Sequence, residues 1–220
     1  LRSARAGDLA QVEKQVSKGV DVNRGNAFDW TPLMFAAGQG NEAMVVRLLD
    51  AGADPNRMSK RIARNTQGPT AKTTALAQAT KNNHLAIARL LMARGAEVDS
   101  ISVALAAGLE DMSLLQEMLA DGADMNQTAG VIYVGTPLIT ACRAGKLENV
   151  QWLVTRGVEV SRDALALAAV HRRYEISAYL LSENKKRNLF TEEDKSFALF
   201  WSAIREDNDD DGHRRIVKLL

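Results

Sequence analysis

One phrase returns along the chain at a near-regular interval, and it constrains the fold more than any other property. It reads Thr31-Pro32-Leu33, then Ala36-Ala37, Gly40, Leu48-Leu49, Gly52-Ala53-Asp54 and Asn56. It comes back as Thr136-Pro137-Leu138, Ala141-Cys142, Gly145, Leu153 and Gly157, and in worn form elsewhere. Self-similarity at a period of about 33 residues marks a stacked repeat, in which no single unit buries its apolar face alone. The phrase also has a local logic. Thr can cap a helix, and Pro at the first helical position sacrifices an N–H that would be unpaired there anyway. The Ala pair lets two helices approach closely, and Leu85, Ile87, Leu90 and Leu91 recur at helical spacing. Gly52, Gly95, Gly122 and Gly157 stand where a helix ends in a left-handed residue. Asp54 and Asn56, or Asp124 and Asn126, suit the turn that follows.

This wording resembles the ankyrin repeat over nearly the whole chain. The resemblance implies an all-α solenoid: each repeat a turn, two antiparallel helices and a loop, with β-hairpin fingers projecting between repeats. It gives about seven repeats in one domain, 1–220, at approximately 1–25, 26–69, 70–99, 100–131, 132–161, 162–192 and 193–220. Several are divergent, and the first and last are incomplete. With the Thr of Thr-Pro-Leu as a register mark, the equivalent positions are Thr31, Thr74, Ile101, Thr136, Asp163 and Phe197, which lie 43, 27, 35, 27 and 34 residues apart. The short intervals lack roughly the six residues of a finger. Fingers are therefore expected at alternate junctions only, near 20–31, 53–74, 123–136 and 184–197. The chain should run nearly straight through 97–100 and 159–162.

Composition narrows the function classes. The 220 residues are 46% hydrophobic but only 5% aromatic, as thin helices packed through Ala, Leu and Val require. With 28 basic and 27 acidic residues the net charge is +1, so no global basic field argues for nucleic acid. A single cysteine, Cys142, excludes an internal disulfide and a cysteine-based zinc site. It sits where the repeat wants a small buried residue, which makes it core and not a nucleophile. No stretch approaches 18 consecutive apolar residues, so no membrane span is expected. The compartment stays open: cytoplasm is the first expectation, with periplasm or secretion if a leader precedes Leu1.

Family members of this kind bind partners with finger tips and the exposed side of the inner helices. Carried over by position, the resemblance nominates Phe28, Trp30, Gln39, Lys81, Asn82, Tyr133, Arg143, His171, Arg172 and Arg205. Phe28 and Trp30 are large aromatics on the first finger, and Trp and Tyr are enriched among binding hot spots. The same aromatics serve equally as local packing. Tyr133 lies in the apolar run Val131-Ile132-Tyr133-Val134, a contact patch or a packed finger. The long second loop carries Arg57, Lys60, Arg61, Arg64 and Lys72 with no acidic residue. Lys60, Arg61 and Arg64 can steer an acidic partner, or the loop is simply a solvated insertion.

No phosphate loop and no His-Glu-x-x-His pair is present, and His84, His171 and His213 fall in different units. Asp207-Asn208-Asp209-Asp210-Asp211-Gly212 begins like a calcium loop, but its twelfth position is Lys218 where a bidentate Glu is needed, and no metal site is expected. The expected function is a non-catalytic protein–protein interaction module, without cofactor, monomeric on its own. Two alternatives stay open: a bacterial immunity protein that caps a secreted toxin or lipase, and a regulatory domain of a larger enzyme or channel.

Overall fold

The structure, a computed structural model, describes residues 1–60, 72–129, 135–203, 215 and 217–219. The chain forms two compact units, Leu1–Ser102 and Val103–Leu220.

In the first unit, helices alternate between an inner and an outer row. The inner helices are α1 (Arg2–Arg5), α3 (Pro32–Gly38) and α5 (Ala75–Lys81); the outer ones are α2 (Leu9–Val16), α4 (Glu42–Asp50) and α6 (Leu85–Ala93). Each inner helix packs on its own outer helix, and α3 packs between α1 and α5. The capping expected from the repeated Thr holds. Thr31 Oγ1 accepts from Met34 N and Thr74 Oγ1 from Ala77 N, with Pro32 in the first turn of α3. Leu33, Met34, Leu48, Leu76 and Leu91 are essentially inaccessible and form the core. Gly52 ends α4 at φ 85°, as its position in the phrase requires.

The polar residues after each outer helix do more than turn the chain. Asp54 Oδ1 holds Asn56 N at 2.8 Å, and Asn56 then reaches the next repeat. Its amide donates to Gly95 O at 3.0 Å while its Oδ1 accepts from Glu97 N at 2.8 Å. Asn23 does the same for Gly52 O and Asp54 N, at 3.0 and 2.7 Å. Each Asp-x-Asn is thus an inter-repeat clamp that satisfies backbone groups of a neighbour.

Helix α7 (Ser100–Ala106) carries the boundary between units. The second unit continues with α8 (Ser113–Ala120), α9 (Pro137–Ala144), α10 (Leu147–Thr155), α11 (Arg162–Val170), α12 (Tyr174–Arg187) and α13 (Glu192–Ala203). Inner helices α9, α11 and α13 stack in that order, and α10 and α12 form the outer row. Leu138, Ala141, Cys142, Leu153 and Leu165 are fully buried, and Asn126 Oδ1 clamps Glu159 N at 2.9 Å.

The all-α class holds, and three details differ from the sequence expectation. Among the described residues no strand occurs. At the bases of the first three fingers isolated backbone bonds stand in place of a ladder: Asn26 N to Trp30 O, Ser59 N to Thr73 O and Ala129 N to Gly135 O. The fourth finger, expected at 184–197, is replaced by helix: α12 runs to Arg187 and α13 begins at Glu192. That segment contains no Gly or Pro and is rich in Lys, Arg and Glu, which favour helix over turn. Thr191 and Asp194 then form a reciprocal cap at the start of α13. Finally, the marks Ile101, Asp163 and Phe197 are not caps but lie inside helices. Asp99 caps α7 through Ser102 N at 2.8 Å, Ser161 precedes α11 and Thr191 precedes α13. The straight junctions are straight because the inner helix starts two residues early there.

Candidate functional site

In the first unit the first finger is a tight turn. Asn26 Oδ1 accepts from both Phe28 N and Trp30 N, at 2.9 and 3.1 Å. Asp29 is left-handed at φ 56°, and a Cβ on Gly25 would lie 2.6 Å from its Cα, so only glycine fits there. This turn sends the two aromatics in different directions. Trp30 is half-buried against Phe35 of α3, ring centroids 5.1 Å apart, with its Nε1 buried and without a partner among the described residues. Phe28 is 39% exposed. Lys60 lies beside it: its N–H donates to Phe28 O at 2.9 Å and its Nζ pairs with Asp29 Oδ2 at 3.0 Å. The Lys60 charge is therefore already matched. Gln39 is exposed and donates its amide to Arg5 O at 2.6 Å, tying α3 to α1, while Lys81 stands exposed at the end of α5.

The second unit builds a groove of about 860 Å³ along its inner helices. Two helix faces line it. From α9 come Ile139 and Arg143; from α11 come Asp163, Ala166, Leu167 and Val170, at the spacing of one helical stripe. Phe197 of α13 closes one side. Ile139, Leu167 and Val170 are only half-buried, although the opposite face of α11, through Ala164, Leu165 and Ala168, is completely buried in the stack. Gly135 lies close against Ile139, where an added Cβ would fall 2.7 Å from Ile139 Cγ2.

The polar rim is sorted by sign. Arg143, in the last turn of α9, and His171, just past α11, stand at one end; Glu159 and Asp163, at the start of α11, stand at the other. Partial burial pulls the Arg143 guanidinium below its ordinary value, though an arginine remains charged. Among the described residues the Arg143 side chain makes no hydrogen bond and no ion pair. Arg172 sits outside the groove in a left-handed conformation, φ 57°, at the turn where the preceding repeat has Gly145 at φ 80°.

Of the residues expected from sequence, the structure brings Arg143 and His171 together, and Phe28, Trp30 and Lys60 together on another surface. Arg61, Arg64, Tyr133, Arg205 and the segment 207–212 lie outside the described residues. The apolar floor and the acidic rim were not anticipated. Their signal was present: Leu165-Ala166-Leu167-Ala168-Ala169-Val170 is apolar around the whole helix, and such a helix has a second face to cover. Cys142 is fully buried, which pushes its thiol well above the usual range, and no group of three or more metal-ligating side chains gathers among the described residues. No described helix is long and apolar enough to cross a membrane.

Against known proteins, the family model for ankyrin repeats in three copies matches residues 1–102 and 103–191. The human mitochondrial disaggregase is 46% identical over 56 residues, which is 26% of this chain and 8% of that protein. The ankyrin repeat and KH domain-containing protein mask-1 of Caenorhabditis elegans is 30% identical over 173 residues, 74% of this chain and 6% of that protein. The chain thus spans less than a tenth of either relative. Among solved structures, the ankyrin repeat domain of human ASB11 superposes with a TM-score of 0.70 at 21% identity, covering 100% of this chain and 96% of that one.

Proposed function

We propose, for a chain that belongs to the ankyrin repeat family, that it is a non-catalytic module which grips a partner protein on its inner-helix face. Ankyrin repeats are generally protein–protein interaction modules, and stacked repeats offer a rigid, preorganised surface for the purpose. The observation that carries the reading is the groove of the second unit: Ile139, Leu167 and Val170 remain half-exposed on a helix face whose reverse side is fully packed. Arg143 and His171 form its basic end. Phe28 on the first finger, with Lys60 of the second loop beside it, offers a further contact surface on the first unit. The antidote and regulatory-domain alternatives gain no support from the groove.

The test is capture of a partner from native extract by the immobilised full chain, compared with Leu167→Glu. Leu167 is half-exposed, so the variant should keep its far-UV circular dichroism while losing the protein that the wild type retains. Retention of the same protein by both would refute the assignment of the groove.

A further inference from the structure

Resting on the groove as the partner-binding face, we infer that it takes an extended segment of the partner protein with a defined polarity. An acidic side chain lies over Arg143 and His171, an apolar side chain lies along Leu167 and Val170, and a basic side chain lies over Asp163 and Glu159.

Charge and length both lead there. Arg143 and Asp163 line one groove from adjacent inner helices, yet they do not pair with each other. Neither makes an ion pair among the described residues. Each stands at the helix end that favours its sign, Arg143 in the last turn of α9 and Asp163 in the first turn of α11. The helix dipole matches them in part, but it is weak and screened beside a direct counter-charge. A half-buried guanidinium without an acceptor among the described residues has five donors in a planar fork, and a carboxylate is the group that fits that fork in two places. The distance between the two ends sets the size of the occupant. From Asp163 to His171 the helix advances about 12 Å at 1.5 Å per residue. An extended chain covers that span in three to four residues at about 3.3 Å each. Alternate side chains of an extended chain face the same way, so the complementary segment is an acid and a base about four residues apart with an apolar residue midway between them, one chain direction being preferred.

Random twelve-residue peptides displayed on phage, panned on the immobilised full chain, test this directly. The wild type should enrich peptides with that acid–apolar–base spacing. Arg143→Glu should lose the acid preference and select a basic residue at the same place. A peptide chosen on the wild type should bind Arg143→Glu about 10- to 100-fold more weakly, the loss expected for one charge-assisted contact, and should weaken as salt is raised. Far-UV circular dichroism checks that the variant is folded. The same enrichment on wild type and Arg143→Glu, or no enrichment at all, overturns the inference. Peptides abolished by Leu167→Glu but indifferent to Arg143→Glu would leave the groove as the binding face and overturn only its polarity. A concentration-dependent dimer in sedimentation that Arg143→Glu dissolves would make a second copy the occupant and overturn it as well.

Discussion

Replacing Asn149 by alanine should destabilise the second unit by about 2–4 kcal/mol. Asn149 is the third residue of α10 and is 3% exposed. The third residues of α4, α6 and α12 are the buried apolar Met44, Ile87 and Ile176. An amide stands here because the preceding turn is unusual. Three residues, 39–41, join α3 to α4, but six, 107–112, join α7 to α8. The longer turn leaves carbonyls pointing inward, and the Asn149 amide donates to two of them, Ala107 O and Leu109 O, both at 2.9 Å. Each bond contributes about 0.5–1.5 kcal/mol net, and stranding a buried carbonyl adds about 1–3 kcal/mol. Water can reach the less buried Leu109 side, so the sum falls in the stated range. For a chain of this size, 1 kcal/mol moves the melting temperature by about 2–4 °C, so thermal denaturation followed by circular dichroism should shift down by about 5–12 °C. Hydrogen exchange should show amides of 103–191 losing protection first. Asn149→Asp separates bonding from shape: it is nearly isosteric but, ionised, has only acceptors to present to two carbonyls, and it should be worse than alanine at neutral pH. A shift below about 2 °C for alanine, or an Asp variant as stable as wild type, would refute the account.

Three further outcomes are expected. Trp30→Phe should be neutral or stabilising by up to about 1 kcal/mol, because it keeps the ring against Phe35 and removes a buried N–H without a partner; Trp30→Ala should cost about 2–3 kcal/mol and Phe28→Ala less than about 0.5 kcal/mol, by urea denaturation. Cys142 should resist thiol reagents until the chain unfolds. Burial raises its folded-state value above the unfolded one, so the associated stability is complete below about pH 8.5 and falls as pH rises beyond it, by up to about 1.4 kcal/mol per pH unit; Cys142→Ala should flatten that slope. Excising 61–71 and bridging Lys60 to Lys72 with a short Gly-Ser turn should move the melting temperature by no more than about 2 °C, since loop length costs little and the base stays closed by Ser59 and Thr73; Lys60 must be kept, because it holds Phe28 O and Asp29.

The parts of the fold legible in the sequence were those set by contacts within one repeat. Thr31, Thr74 and Thr136 cap the helices they precede, because a cap needs only its own next three residues. Where the Thr-Pro-Leu phrase is worn away, the apolar register survives but the helix start does not. Ile101 and Asp163 keep their places in the pattern while Asp99 and Ser161 begin the helices. The missing fourth finger follows the same rule: interval counting expected residues for it, and their helix propensity spent them on α12 and α13.

The candidate site was legible only as single residues. Arg143 and His171 were nominated one by one, at the ends of successive inner helices. That they share a groove with Asp163, Leu167 and Val170 depends on the stacking of α9 on α11, which no residue's neighbours in sequence specify. Sequence by itself determined the repeat, its helix pairs and the residues that cap, turn and bury them, since those are short-range choices repeated many times. Tertiary structure alone decided how Trp30 is packed, why Asn149 is polar, and which charges share one groove. Those answers arise where one repeat meets the next, and burial and pairing there are properties of two segments at once.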